Sequence, residues 1–93
     1  MSSSSLVNDL NAAVAYLQNA FSKHNLTPPT VIELGSHGDA AVILSAFHRD
    51  VGLTLPQPHM IEGHPRMVFK LRDIEFRYPA MRRALRSGGW EYV

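Results

Sequence analysis

Residues 66–78 carry two alternating apolar runs that cannot lie on one flat strand. Met67, Phe69 and Leu71 fall on odd positions, whereas Ile74, Phe76 and Tyr78 fall on even ones. Side chains of a β-strand alternate with period two, so a change of parity sends the second set to the opposite face unless the chain turns between them. A hairpin centred on Arg72-Asp73 removes the conflict. It pairs Leu71 with Ile74, Phe69 with Phe76 and Met67 with Tyr78, and all six side chains then share one face. On the other face Lys70 opposes Glu75, an attractive cross-strand pair. The turn chemistry is poor, because Arg-Asp lacks the glycine that two-residue hairpin turns favour. A hairpin with one apolar face also needs cover.

The N-terminal segment offers that cover. Leu6, Leu10, Val14, Leu17 and Phe21 recur at spacings of three and four, which defines one stripe of a helix over residues 6–24. Ser4 or Ser5 suits its N-cap, and residues 1–4 read as a disordered polar tail. At the other end Asn25 suits the left-handed position after the helix, Leu26 can fold back on the stripe, and Pro28-Pro29 forbids continuation. Residues 30–34 form a short β-rich strand, and Gly35-Ser36-His37-Gly38 a turn. Residues 40–51 suit either a buried strand or a helix. Asp39 as N-cap and Gly52 as the residue after the helix favour the helix, with Ile43, Ala46 and Phe47 on one face and Val51 extending it. A Pro-punctuated connection over residues 53–58 leads to a short strand at 59–61 and a turn at Glu62-Gly63-His64-Pro65. Pro79 suits the start of a short helix or turn over residues 80–86, ended by Gly88-Gly89, with residues 90–93 extended. The expected fold is a single α+β domain over residues 5–93. Its order is α-β-α-β-β-β, with a mainly antiparallel sheet covered by the N-terminal helix and with Phe21 and Phe76 in the core.

A chain of 93 residues suits one domain. It has no cysteine, which excludes disulfides, zinc–thiolate sites and thiol catalysis. No apolar run reaches the length of a membrane span, and residues 1–5 have no signal-peptide character, so a cytoplasmic protein without membrane contact is expected. Charge is uneven although the net value is only +1. Residues 66–86 hold seven basic side chains against two acids, a local excess of +5, while residues 1–65 carry −3. Such asymmetry suits an anionic partner or a solvated face.

Little else points to chemistry. The five histidines show none of the short spacings of a metal site. His48-Arg49-Asp50 spells a kinase catalytic triplet, but the other kinase motifs are missing. Gly35-Ser36-His37-Gly38-Asp39 gathers Ser, His and Asp on one turn, whereas a working triad draws them from separate elements. No catalytic, metal or cofactor-binding residue is therefore assigned, and no cofactor is expected. The C-terminal third mixes arginines with aromatics. With Phe76 and Tyr78 turned inward, Arg77, Arg82, Arg83, Arg86 and Trp90 remain as candidate partner-binding residues.

The segment Ile74-Glu75-Phe76-Arg77-Tyr78-Pro79-Ala80, followed by Gly88-Gly89-Trp90, resembles small orphan proteins encoded by bacteriophages and prophages. The resemblance spans most of residues 6–92 through the order helix, Pro-Pro strand, loop, helix and a meander ending in an aromatic-Pro segment. It implies no activity and no site residue. What it implies is binding: small phage-borne domains often engage a host or virion protein. The expected function is a non-enzymatic, phage-encoded protein-binding module, acting as a virion component or as a modulator of a host protein such as a defence-system inhibitor. Its place of action would be the host cytoplasm or the virion. The alternative is a small nucleic-acid-associated protein that uses the basic 66–86 segment.

Overall fold

The computed structural model describes residues 3–93. Helix α1 (Ser3–Lys23) leads to strand β1 (Val31–Glu33) and helix α2 (His37–Ala46). Strands β2 (Gln57–Ile61), β3 (His64–Leu71) and β4 (Ile74–Pro79) follow, then a two-stranded ribbon of β5 (Arg82–Ala84) and β6 (Trp90–Tyr92). The main sheet has the order β1-β4-β3-β2, with β1 parallel to β4 and the other pairs antiparallel. This is the α+β class expected, with six strands where the expected order has four.

The β3–β4 hairpin has the register that its parity switch demands: Leu71 opposes Ile74, Phe69 opposes Phe76 and Met67 opposes Tyr78. All six are buried, and the rings of Phe69 and Phe76 stack at 5.1 Å. Arg72 makes the turn with φ 56°, a left-handed conformation that costs an L-residue free energy. The surroundings hold it there. Its amide donates to the Gly52 carbonyl at 2.9 Å, and its guanidinium donates to Asp50 Oδ2 at 2.6 Å and to Asn11 Oδ1 at 2.7 Å. The turn lacking glycine is thus tied to α1 and to the loop after α2. Lys70 does oppose Glu75, but the Glu75 carboxylate pairs with Arg77 on its own strand, and Lys70 stays exposed.

The six hairpin side chains pack under α2. Ala40, Ile43 and Phe47 complete the core at the spacing of one helical face. The expectation of a helix here holds, but its limits move. Ser36, not Asp39, is the N-cap: its hydroxyl accepts the Asp39 amide at 3.1 Å, placing Asp39 in the first turn near the positive end of the helix dipole. The helix stops at Phe47 instead of running to Gly52, so Val51 projects fully into solvent and does not extend the apolar face.

Helix α1 covers the sheet only in part. Val7, Leu10 and Val14 pack against the core half-buried, and no described α1 side chain is buried. Phe21, expected in the core, is also half-buried and lies outside the core cluster, because β1 is only three residues long and gives it little sheet to rest on. The helix is already running at Ser3, so neither Ser4 nor Ser5 is its N-cap. The tail expected at residues 1–4 falls, for residues 1 and 2, outside the described residues. The helix ends as its sequence predicts. Asn25 takes φ 60°, Leu26 N–H donates to the Phe21 carbonyl at 2.8 Å, and Asn25 N–H to the Ser22 carbonyl at 3.1 Å. That pair of bonds is a Schellman cap.

The short helix or turn expected after Pro79 is absent, and residues 82–84 are strand β5. Arg82 pairs with Tyr92, Arg83 with Glu91 and Ala84 with Trp90, and Met81 and Val93 exchange backbone bonds of 2.8 Å that extend the ladder. Gly88, at φ 94°, closes the loop between the strands.

Candidate interaction site

Four of the five candidate partner-binding residues come together on the ribbon. Strand alternation puts Arg82, Ala84, Trp90 and Tyr92 on one face and Arg83 and Glu91 on the other. Tyr92 is the anchor: it packs half-buried against the core. The Trp90 ring meets Tyr92 edge-on at 4.8 Å, and the Arg82 guanidinium lies over the Trp90 ring, 4.0 Å from its centroid. A ladder of core, Tyr92, Trp90 and Arg82 results, with Trp90 still 48% exposed at its outer end. The cation over the indole face is held by the ring quadrupole, which orients both side chains before any partner arrives. Met81 and Leu85, which bracket β5, are also exposed.

The remaining arginines differ in state. Arg83 forms an ion pair with Glu91, its Nε donating to Oε1 at 2.9 Å. Arg86 sits in the exposed ribbon loop. Arg77 does not join the group. It lies half-buried on β4, on the outer face of the main sheet, paired with Glu75 and opposite Glu33 in the β1–β4 register. Arg72, also in the basic segment, is engaged by Asp50. Three of the seven basic side chains of residues 66–86 therefore have carboxylate partners, which thins the positive footprint that the linear sequence suggests.

The loop motifs have structural roles. His37 opens α2, its ring edge-on to Tyr78 at 5.3 Å, and its buried Nε2 has no hydrogen-bond partner among the described residues. Burial holds the Tyr78 phenol above its ordinary pKa of 10.0. In the His48-Arg49-Asp50 triplet, His48 Nδ1 donates to the Ser45 carbonyl at 2.7 Å, and Asp50 accepts both Arg72 and the Gly52 amide. Among the described residues no three His, Asp or Glu side chains converge as a metal site would require. No described helix is long and apolar enough to cross a membrane.

Two clefts flank Val14 beneath α1. One of about 240 Å³ opens toward Leu71, Arg72 and Asp73. The other, about 260 Å³, is lined by Val14, Leu17, Pro29, Val31, Ile32 and Ile74. Both reflect the loose seating of the helix, which the amphipathic stripe did not reveal.

No protein-family model matches the chain, and no curated protein or solved structure matches it.

Proposed function

We propose that the protein is a non-enzymatic protein-binding module whose contact surface is the β5–β6 ribbon, with Trp90 and Arg82 as anchors. The observation that carries this reading is the half-exposed Trp90 with Arg82 stacked on it and Tyr92 behind it. Trp, Tyr and Arg dominate binding hot spots: Trp and Tyr bury much surface for few rotatable bonds, and an Arg already stacked on a ring loses little further freedom on docking. The resemblance to small phage and prophage proteins supports a phage origin and a host or virion protein as the partner, with action in the host cytoplasm or on the virion. A nucleic-acid role is the weaker reading. Arg83 is neutralised within the ribbon, which leaves Arg82 and Arg86 as its available cations, and so small a footprint neutralises few phosphates.

The test compares wild type with Trp90→Ala in partner capture from the bacterial host, followed by affinity measurement on the captured protein. The expected result is a loss of about 2 kcal/mol or more, roughly thirtyfold, in a variant that still unfolds cooperatively. Undiminished affinity in Trp90→Ala would remove the ribbon from the interface. Tight binding of generic DNA or RNA that collapses with salt and is lost on replacing Arg82, Arg83 and Arg86 by Ala would favour the nucleic-acid reading instead.

A further inference from the structure

The outward face of α1 has an internal symmetry. Asp9 and Lys23 are the only charged residues of the helix, and Tyr16 lies midway between them. Intervals of seven residues bring all three to one side, because seven residues are nearly two full turns. Each charge is about 10 Å along the axis from Tyr16. Ala12, Ala13, Asn19 and the half-buried Ala20 flank this row, so between the charges its surface is low apart from Tyr16 and Asn19. Asp9, Ala12, Ala13, Tyr16 and Lys23 are exposed, Tyr16 at 74%, and none lies on the side that meets the sheet.

From this arrangement we infer that α1 pairs with α1 of a second copy, antiparallel about a two-fold axis at Tyr16. In that register Asp9 of each chain faces Lys23 of the other, Ala12 faces Ala20, and the two Tyr16 rings meet at the axis. An isologous interface has to complement itself, and the opposite charges equidistant from Tyr16 satisfy this only when the helices run antiparallel. Parallel pairing would set Asp9 against Asp9 and Lys23 against Lys23. Alanines let helix axes approach to about 8 Å, and tyrosine is enriched at protein interfaces. This pairing uses α1 and is independent of the ribbon.

Sedimentation analysis of the wild-type chain should give twice its 10.4 kDa mass at micromolar concentration. Asp9→Lys and Lys23→Asp should each weaken self-association by about tenfold or more, since two symmetric attractions become repulsions. An equimolar mixture of these two variants should restore it, because each then supplies the charge the other lacks. That rescue also shows that the variants fold. The absence of native cysteine allows a direct check: Tyr16→Cys should form a disulfide-linked dimer under mild oxidation, whereas Ser22→Cys, away from the axis, should not. A wild-type monomer up to millimolar concentration overturns the inference, as does a dimer indifferent to both charge reversals.

Discussion

Arg72 occupies a backbone conformation that disfavours any side chain, yet its own side chain helps to hold the fold there. The left-handed φ costs about 1–2 kcal/mol in an L-residue, while the guanidinium bonds to Asp50 and Asn11 offset part of that cost. The two effects can be separated. Arg72→Ala loses the clamp and keeps the strain, whereas Arg72→Gly loses the clamp and relieves the strain. Chemical denaturation should therefore find the glycine variant more stable than the alanine variant by about 1 kcal/mol, and equal stabilities would mean that the turn is not strained. A second residue-scale expectation concerns pH. Burial raises the Tyr78 pKa above 10.0 in the folded state, so the folded protein keeps the phenolic proton to higher pH than the unfolded chain does. The associated stability is fully present below about pH 10 and is lost as pH rises through the raised value. Tyr78→Phe keeps the buried ring but removes the ionisation, so stability above pH 10 should fall less steeply than in wild type. An unchanged alkaline slope would show that another group titrates there.

At the scale of elements, α2 illustrates how a correct assignment can rest on a misplaced signal. The Ser36 hydroxyl, not the Asp39 carboxylate, satisfies the first turn. Ser36→Ala should cost about 0.5–2 kcal/mol in thermal or denaturant unfolding. Asp39→Ala should cost less, since it loses only the charge–dipole term of about 0.3–1 kcal/mol. A larger loss at Asp39 would reverse the capping assignment. The same contrast explains what could be read in advance. The β3–β4 hairpin was legible because both strands and their turn lie within sixteen residues, and parity alone fixed their register. The Asn25 cap was legible for the same local reason. The β1–β4 pairing was not, because Val31 and Glu75 are far apart in sequence and a parallel partner leaves no local mark. Strand β5 was missed because Arg82, Arg83, Ala84 and Leu85 are good helix formers between a proline and a Gly-Gly pair. Their strand state is set instead by pairing with residues 90–92. On the ribbon the sequence pointed to Arg82, Arg83, Arg86 and Trp90, but the stacking that joins Arg82 to Trp90 depends on that pairing. Arg77, only five residues before Arg82, belongs to a different sheet.

Across the whole molecule the core sits to one side. All nine buried side chains among the described residues belong to α2, to Phe47 at its end, or to the β3–β4 hairpin. Helix α1 is the longest element, yet its apolar stripe is only half covered. The radius of gyration, 15.2 Å, exceeds the roughly 12 Å of a compact domain of this length. Stability should be distributed in the same way. Phe76 is 1% exposed and stacked on Phe69, so Phe76→Ala should cost about 3–5 kcal/mol through lost transfer energy and an unfilled cavity. A domain of this size has only about 5–14 kcal/mol in total, and this one variant approaches unfolding at physiological temperature. Phe21→Ala removes as many atoms from a site that water already reaches, which leaves no closed cavity, so its cost should be less than half as large. Denaturant titration of the two variants, made at one protein concentration to hold any self-association constant, decides the matter. Equal losses would mean that α1 is as much a part of the core as the hairpin. A large loss at Phe76 with a small one at Phe21 would locate the folding free energy in α2 and the hairpin and leave α1 available for contacts outside its own chain.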